Sequence, residues 1–418
     1  MTININQVDG KFIAYQCRKI LRGEITLKKI KSMMLFVLYV LSIPMTLSIV
    51  LIIRALRPFV LIRFGALRSD RIGHYASNTD LYLCQKSNGE TPEKSFDIFH
   101  CSTLPEANEA LTVIWRRCLR IWQWSKILYL ANELLPGWRL HCIVLPDDMF
   151  PVAQLQSRIP AHAYFSPDEI RTGWKQIERI GIQRETKFIC LNTRSDGFLN
   201  TTQPDTNWDY HSYRNTNSET LLPAISALVD RGYKVVRMGL HVGDPLVSRG
   251  VVDYATSEFR TPFLDLFLAA HCHFFVGDSA GLVGVPLIFR RPTVCINLIP
   301  MRHVCRWLSS SVVVPKALRY AATKDAVPLE EYIRSGAFNF LRTENYAAGG
   351  YDVVDASPEI LRDAVIEMDD RLAGRWQETD DRIQRQARFW AIMNRHLPDC
   401  GQITNIADAF LESNPGLC

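Results

Sequence analysis

The chain has 418 residues, of which 47% are hydrophobic and 22% charged, and its formal net charge is +5. This composition is ordinary for a globular protein of two or three domains, and so mild a positive charge argues against nucleic acid as a partner. The 11 cysteines include no C-x-x-C pair. Their irregular spacing argues against a disulfide framework and against a zinc site, and it indicates a reducing compartment.

Residues 33–53 form an apolar run without a single charged residue. As a helix this run would reach roughly 30 Å, the thickness of the hydrocarbon core of a bilayer. Basic residues flank it on both sides, so charge does not select an orientation, and Pro44 would kink a spanning helix. We therefore expect membrane association through residues 33–53, with the body of the protein on the cytoplasmic side of the inner membrane. A single span and a re-entrant or interfacial segment both fit the sequence.

Strand and helix patterns alternate in the first part of the body. Short apolar strands are predicted at 59–64, where Gly65 would close the strand, at 95–101 and at 141–146. Between the last two, Thr103 with Glu106 has the spacing of a capping box and predicts the start of a helix. Alternation of this kind is typical of an α/β layer fold.

The second half repeats the alternation more clearly. Ser166, Pro167 and Glu169 predict the start of a helix, because they fit an N-cap, a first-position proline and a capping box. The strands predicted after it are 187–192, 234–239, 273–277 and 292–297, with helices between them. We expect two Rossmann-like, doubly wound domains behind a hydrophobic helical segment. The predicted boundaries are 1–57 for the membrane-associating segment, 58–165 and 166–345 for the two Rossmann-like domains, and 346–418 for carboxyl-terminal helices.

The usual phosphate-binding fingerprints are missing. The sequence contains no G-x-G-x-x-G, no G-x-x-x-x-G-K-[ST] and no D-x-D. A diphosphate would then be neutralised by guanidinium groups, backbone N–H groups and a helix dipole rather than by a carboxylate-bound metal. The candidate ligand groups follow predicted strands or precede a predicted helix: Arg194, Arg214, Arg237, Gly239, Gly277, Asp278 and Ser279. Because the carboxyl ends of parallel strands share one edge of a sheet, most of these groups should converge.

The sequence around Ser279, GDSAG, has more than one interpretation. It fits the G-x-S-x-G pattern of a hydrolase nucleophile. It also fits a strand that ends in a small-residue turn, where it either cradles a diphosphate or has a purely structural role. A serine hydrolase needs a histidine, an acid and an oxyanion hole, and the sequence shows no H-G-G-G-type loop upstream. The diphosphate cradle is therefore favoured.

Several segments together resemble a family of bacterial glycosyltransferases that is associated with surface-polysaccharide biosynthesis. These segments are RIGHYASNTDLYL (71–83), HSYRNTNSETLLPAISALVDRGYKVVRMG (211–239), DYATSEFRTPFLDLFLAAHCHFFVGDSAGL (253–282) and RRPTVCIN (290–297). The resemblance covers roughly residues 58–305. The strand–GDSAG–helix unit also resembles the donor half of metal-independent transferases of the GT-B type.

The resemblance implies transfer of a sugar from a nucleotide-sugar donor to a glycan or lipid-linked acceptor, with no cofactor and no metal. An inverting transfer needs a base that accepts the acceptor proton. His74 is the first candidate, with Asp196 and Glu258 behind it. The sequence departs from the expected pattern here, because Ser195 stands where an acidic residue should follow Arg194 directly.

Arg71 and Ser257 complete the substrate-binding candidates. Two other functions fit the same residues. One is a serine esterase that uses Ser279, and the other is a non-catalytic nucleotide- or carbohydrate-binding protein.

Overall fold

The structure, a computed structural model, describes residues 44–146, 153–194, 197, 207–240, 243–397 and 404–417. Residues 33–43 of the predicted membrane segment and the candidate base Asp196 lie outside these ranges. Contacts divide the chain into two compact units. In the described ranges the first unit comprises residues 44–65, 94–100 and 122–143. The second comprises residues 66–93, 101–121 and the chain from 144 onward.

A four-stranded sheet has the strand order β3-β2-β1-β4. Its strands are β1 (Leu61–Leu67), β2 (Ser95–Cys101), β3 (Arg120–Ile121) and β4 (Cys142–Ile143). The helices of this part of the chain are α1 (44–55), α2 (Ile72–Ser87), α3 (Glu109–Trp115) and α4 (Ser125–Glu133). The first unit has a core of Val50, Phe64, Ile98, Leu128 and Ala131. Through Val50, α1 therefore packs one face onto this core.

Two boundaries predicted for this part of the chain are wrong. The first strand continues through Gly65 to Leu67. Gly65 lies inside the strand because it allows the close approach of Phe99, whose ring would lie 2.6 Å from an added Cβ atom. The helix predicted from Thr103 begins instead after Asn108, whose side chain accepts a hydrogen bond from the Leu111 amide. The Thr103 hydroxyl lies 3.2 Å from Ser69 Oγ instead, and the Thr103 amide donates to the same oxygen at 3.0 Å.

The second unit is built on a parallel sheet of seven strands in the order β13-β10-β9-β8-β5-β6-β7. Its strands are β5 (Phe188–Asn192), β6 (Lys234–Arg237), β7 (Val251–Asp253), β8 (Phe275–Gly277), β9 (Thr293–Leu298), β10 (Val312–Pro315) and β13 (Asn405–Ile406). A separate two-stranded antiparallel sheet is formed by β11 (Ala317–Tyr320) and β12 (Tyr351–Val354). Because β5 lies between β6 and β8, the chain segments that leave these three strands share one edge of the sheet.

The helices of the second unit continue the α/β alternation. They are α5 (Ala153–Arg158), α6 (Pro167–Arg179), α7 (Leu222–Asp230), α8 (Pro262–His271), α9 (Gly284–Ile288), α10 (Leu329–Arg334), α11 (Thr343–Ala348), α12 (Pro358–Leu372), α13 (Asp380–His396) and α14 (Asp408–Ser413). The predicted capping box of α6 is confirmed: Ser166 accepts from the Glu169 amide, and the Glu169 carboxylate accepts from the Ser166 amide.

The chain is thus an α/β protein with parallel strand pairing, as the alternation predicted. The two-domain GT-B arrangement and its boundaries stay predictions. In the residues that the structure describes, no helix has both the length and the hydropathy that crossing a bilayer requires.

Candidate anion-binding site

Arg194 and Asp278 meet at the edge of the sheet where β5 and β8 end. The Arg194 amide donates a hydrogen bond of 2.7 Å to Asp278 Oδ2. The Arg194 guanidinium donates to the His211 carbonyl oxygen at 3.1 Å and to the side-chain oxygen of Asn215. Arg194 is therefore held by its backbone and its side chain, and it joins the loop after β8 to the 3-10 turn Asp209–Arg214.

Arg214 fixes the same loop from the other side. Its guanidinium donates to the carbonyl oxygen of Ser279, and its Nε atom is buried without a hydrogen-bond partner among the described residues. Ser279 Oγ donates to the Ile299 carbonyl oxygen at 3.4 Å. In the described part of the chain no hydrogen bond joins Ser279 Oγ to a histidine, so the structure shows no base that would activate this hydroxyl.

Asp278 is fully buried beneath these arginines. Burial raises the pKa of its carboxyl group to about 6, although the Arg194 amide, the Thr216 hydroxyl and the two arginine charges act in the opposite direction. A carboxylate is costly in such a place unless it has hydrogen bonds and opposite charges around it. Asp278 therefore acts as a buried counter-charge that orients the loop and the arginines above it.

Four guanidinium groups surround His211, the third residue of the turn Asp209–Arg214. Burial, and after it the charges of Arg214, Arg194, Arg71 and Arg342, lower the pKa of His211 to about 4. These four residues, which we call the arginine cluster, come from four separate stretches of the chain. So many cations around one uncharged ring produce a strongly positive potential, which favours a bound anion.

Aromatic rings line the arginine cluster. The Arg71 guanidinium lies 5.7 Å from the ring centroid of Trp208, and the Arg342 guanidinium lies 4.7 Å from that of Tyr210. Each distance is within the range of a cation–π contact, which keeps an arginine extended over a ring. Trp208, Tyr210, His211 and Arg342 were not among the candidates predicted from the sequence. The aromatic and basic composition of NWDYHSYR, which contains the predicted Arg214, was the only signal available.

The amino end of α2 packs directly on the loop that follows β8. A Cβ atom on Gly73 would lie 2.8 Å from the Cα atom of Gly281, and one on Gly284 would lie 2.8 Å from Ser77 Oγ. This contact brings the first turn of α2, which carries His74, against the GDSAGL segment. Arg71 stands directly before that turn and is its N-cap residue.

His74 is half-buried in this position. Burial and the charge of Arg68 lower the pKa of His74, while a hydrogen bond to the Asn78 side chain acts in the opposite direction. The imidazole is therefore neutral at physiological pH, as a base that accepts a proton must be.

The contacts of Arg237 differ from those of Arg194. Its guanidinium donates to the Asp244 carbonyl oxygen at 2.7 Å and to the Asp253 carboxylate at 3.0 Å. Its side chain is only 7% exposed. These contacts hold the segment between β6 and β7, and a role for Arg237 in ligand binding stays a prediction. Gly239, just beyond it, has a φ angle of 139°, which side chains rarely adopt.

The remaining candidates lie around the same edge of the sheet. Gly277 is the last residue of β8, and a Cβ atom there would lie 2.8 Å from the Val283 side chain. Ser257 follows the 3-10 turn after β7, and its hydroxyl donates to the Tyr254 carbonyl oxygen at 2.9 Å. The Glu258 side chain is exposed. The structure thus brings Arg71, Arg194, Arg214, Asp278 and Ser279 together through shared contacts, and it gives Ser257 a local hydrogen bond.

A second polar cluster lies in the same unit. Asp80, Cys84 and His162 place one potential metal-ligand atom each within 4.8 Å of one another. The Asp80 carboxylate already accepts hydrogen bonds from Arg290 at 2.7 Å and from Gln156 at 2.8 Å. Burial raises the pKa of the Cys84 thiol to about 12, so the thiolate that a metal requires is disfavoured. This cluster is therefore a buried ion-pair network around Arg290.

No family model and no curated protein matches the chain. Among solved structures, the chain is similar to the ADP-heptose lipopolysaccharide heptosyltransferase II of E. coli, with 15% identity, a TM-score of 0.32, and coverage of 56% of this chain and 84% of that one. It is similar to a family 9 glycosyl transferase of Veillonella parvula, with 11% identity, a TM-score of 0.41, and coverage of 75% and 97%. For the dodecameric iron-containing heptosyltransferase TibC, in complex with ADP-D-β-D-heptose, the identity is 13%, the TM-score 0.32 and the coverage 57% and 58%. Likenesses this distant do not by themselves establish a shared activity.

Proposed function

We propose that this chain is a glycosyltransferase that transfers a sugar from a nucleotide-sugar donor, and that the arginine cluster binds the diphosphate of that donor without a divalent metal. The observation that carries the proposal is the convergence of four guanidinium groups around His211, beside the loop between β8 and α9 that the Arg194 amide and the Arg214 guanidinium contact. Cleavage of a glycosyl–phosphate bond leaves negative charge on the departing diphosphate. Fixed cations around that charge stabilise the transition state more than the ground state.

The contacts within the cluster support a preorganised site. Arg194 and Arg214 are held by backbone carbonyl oxygens of His211 and Ser279, so little side-chain freedom is lost when an anion arrives. A guanidinium group can also donate two parallel hydrogen bonds to a phosphate. The diphosphate would therefore be held by groups that are already in place.

His74 is the proposed base for the acceptor hydroxyl. It lies on the turn of helix that packs against Gly281, its ring is neutral, and the arginines beside it would disfavour protonation before the acceptor arrives. The neutral imidazole would take the hydroxyl proton while the acceptor oxygen attacks the anomeric carbon and the diphosphate departs. Replacement of His74 by Asn should lower kcat by about 10²- to 10⁴-fold and leave the donor KM nearly unchanged.

The binding step can be tested with inorganic pyrophosphate and a panel of nucleoside diphosphates. Isothermal titration calorimetry should show binding to the full-length chain that weakens about 10- to 100-fold in Arg214→Gln, because a charge-assisted contact is lost. Arg249→Gln is the control, since Arg249 is an exposed arginine that pairs with Asp230. No binding of any diphosphate, or equal losses in the two variants, would refute the proposal.

The reaction itself separates the three candidate functions. A transferase should release a nucleoside diphosphate from a nucleotide sugar, and this release should increase when a glycan or lipid-linked acceptor is added. A hydrolase would instead cleave a simple ester, and the cleavage would be lost in Ser279→Ala. A chain that binds nucleotide sugars and never turns them over would be a binding protein.

We also propose that the chain associates with a membrane through α1 and the turn after it, because apolar side chains there are exposed. Met45, Ile49, Ile52 and Leu56 recur at helical spacing and are 64%, 39%, 62% and 41% exposed, and Phe59 is 81% exposed. Arg57, between the last two, is exposed. Apolar side chains beside an arginine suit the surface of an anionic membrane, and a lipid-linked acceptor on the cytoplasmic side would lie there.

Vesicle sedimentation tests this part of the proposal. The full-length chain should bind vesicles that contain phosphatidylglycerol more tightly than vesicles of phosphatidylcholine alone. Ile52→Glu should weaken that binding, whereas Ile383→Glu, at a residue that is 52% exposed on α13, should not. Equal binding by the two variants would show that α1 does not face the lipid.

A further inference from the structure

His211 occupies an unusual position for a histidine. Its ring lies 4.0 Å from the Tyr210 ring, centroid to centroid and tilted by 37°, and it is nearly parallel to the Trp208 ring at 6.2 Å. Its Nδ1 atom is buried and has no hydrogen-bond partner among the described residues. Its own backbone carbonyl accepts from Arg194, so the main chain of His211 is held next to that guanidinium.

The charges that face this ring come from every element around it. Arg214 lies on the same turn, Arg194 follows β5, Arg71 precedes α2 and Arg342 precedes α11. The titratable neighbours are Tyr210 and Tyr213, which are aromatic contacts, and Asp209, which is exposed. In the part of the chain that the structure describes, no carboxylate is hydrogen-bonded to the ring.

We propose that His211 is a further ligand of the diphosphate: the neutral ring takes up one proton from solvent when the diphosphate binds in the arginine cluster, and the resulting N–H group donates to a phosphate oxygen. The inference rests on the proposed function, because it needs a diphosphate in this site. It adds a positively charged N–H donor that the arginine cluster lacks in the free protein, where the His211 ring is neutral.

The physical reason is the change of potential at the ring. In the free protein, burial and four guanidinium charges hold the pKa of His211 near 4, so the ring is uncharged at physiological pH. A diphosphate adds at least two negative charges among the same cations. The anion cancels much of the field that disfavours the imidazolium, and an opposite charge at hydrogen-bond distance stabilises it directly. The bound anion therefore raises the proton affinity of the ring, and protonation of the ring raises the affinity for the anion by the same factor.

Histidine-selective ¹³C labelling of the full-length chain tests the inference. The signal of His211 is the one that disappears in His211→Asn, and its pKa is measured with and without saturating inorganic pyrophosphate. We expect this pKa to rise by roughly one to three units on binding. His273 is the matched control: burial and Lys187 lower its pKa as well, but Lys187 is not part of the cluster, so pyrophosphate should leave its titration unchanged.

Calorimetry supplies a second readout. Loss of the ring in His211→Asn should weaken pyrophosphate binding more at pH 5 than at pH 8, because the wild-type ring carries the extra proton only below its ligand-bound pKa. An unchanged pKa of His211 while pyrophosphate is bound would overturn the inference and leave the proposed function intact. Failure of pyrophosphate to bind at all would refute both.

Discussion

Replacement of the buried carboxyl group at the anion site should make the protein more stable at neutral pH, although it alters the site. Asp278 is fully buried, and burial raises the pKa of its carboxyl from 3.8 to about 6. The folded state therefore binds this proton more tightly than the unfolded state does. The resulting contribution to stability is fully present below pH 3.8 and is lost as the pH rises through about 6.

The magnitude follows from the size of this shift. A rise of about two units corresponds to roughly 3 kcal/mol of unfolding free energy lost between those pH values. Asp278→Asn removes the titrating group and leaves a side-chain oxygen that can still accept from the Arg194 amide. At pH 8 the variant should therefore gain up to about 3 kcal/mol over the wild type, and at pH 4 the gain should vanish.

Urea denaturation of both proteins at pH 4 and pH 8 measures the difference. The variant should also bind pyrophosphate more tightly, because a negative charge beneath the arginine cluster is removed. Asp265→Asn is the matched control for binding: Asp265 is buried in α8, its pKa is raised to about 6 by burial, and it pairs with Arg260 rather than with the cluster. If Asp278→Asn proves less stable than the wild type at pH 8, the carboxylate is a net stabilising group and the reasoning is wrong.

Three further predictions concern Ser279 and the stability of the fold. Ser279→Ala should keep pyrophosphate affinity within about threefold, because the hydroxyl makes only a 3.4 Å bond to a carbonyl oxygen. Complete loss of ester cleavage in this variant would instead favour the hydrolase. Gly73→Val should lower the unfolding free energy by about 1–3 kcal/mol and weaken pyrophosphate binding, since its side chain would meet the Gly281 backbone; unchanged values would show that α2 can shift freely. Asp97→Asn should cost about 3–5 kcal/mol in urea denaturation, because it removes the negative charge that lies 2.8 Å from the buried guanidinium of Arg63; a loss below about 1 kcal/mol would mean that water reaches Arg63.

Patterns that depend on neighbours in the sequence predicted the fold well. The capping box at Ser166 and the alternation of strands and helices needed only local spacing, and both are confirmed. Local spacing failed at Thr103, whose amide and hydroxyl contact Ser69 in another part of the chain, while Asn108 caps the helix. It also missed β10, a four-residue apolar run, VVVP, that has no alternation to mark it as a strand.

The candidate site could be predicted only in part. Parallel strands place Arg194 and Ser279 at one edge, and that expectation needed no more than strand order. Arg342 could not be found, because it reaches the site from a segment more than a hundred residues away and nothing in its own neighbourhood marks it. The position of a residue at the end of a strand also does not predict the direction of its side chain. Arg237 ends a strand as predicted, yet its guanidinium pairs with Asp253.

The contact between Gly73 and Gly281 has a consequence for the precision of catalysis. Two main chains meet there with no side chain between them, so no rotamer change can absorb a displacement. Any motion that brings His74 closer to the GDSAGL loop or farther from it has to carry a whole helical turn with it. The spacing between the proposed base and the leaving group would thus be set by main-chain packing. Such packing allows smaller displacements than a rotating side chain does.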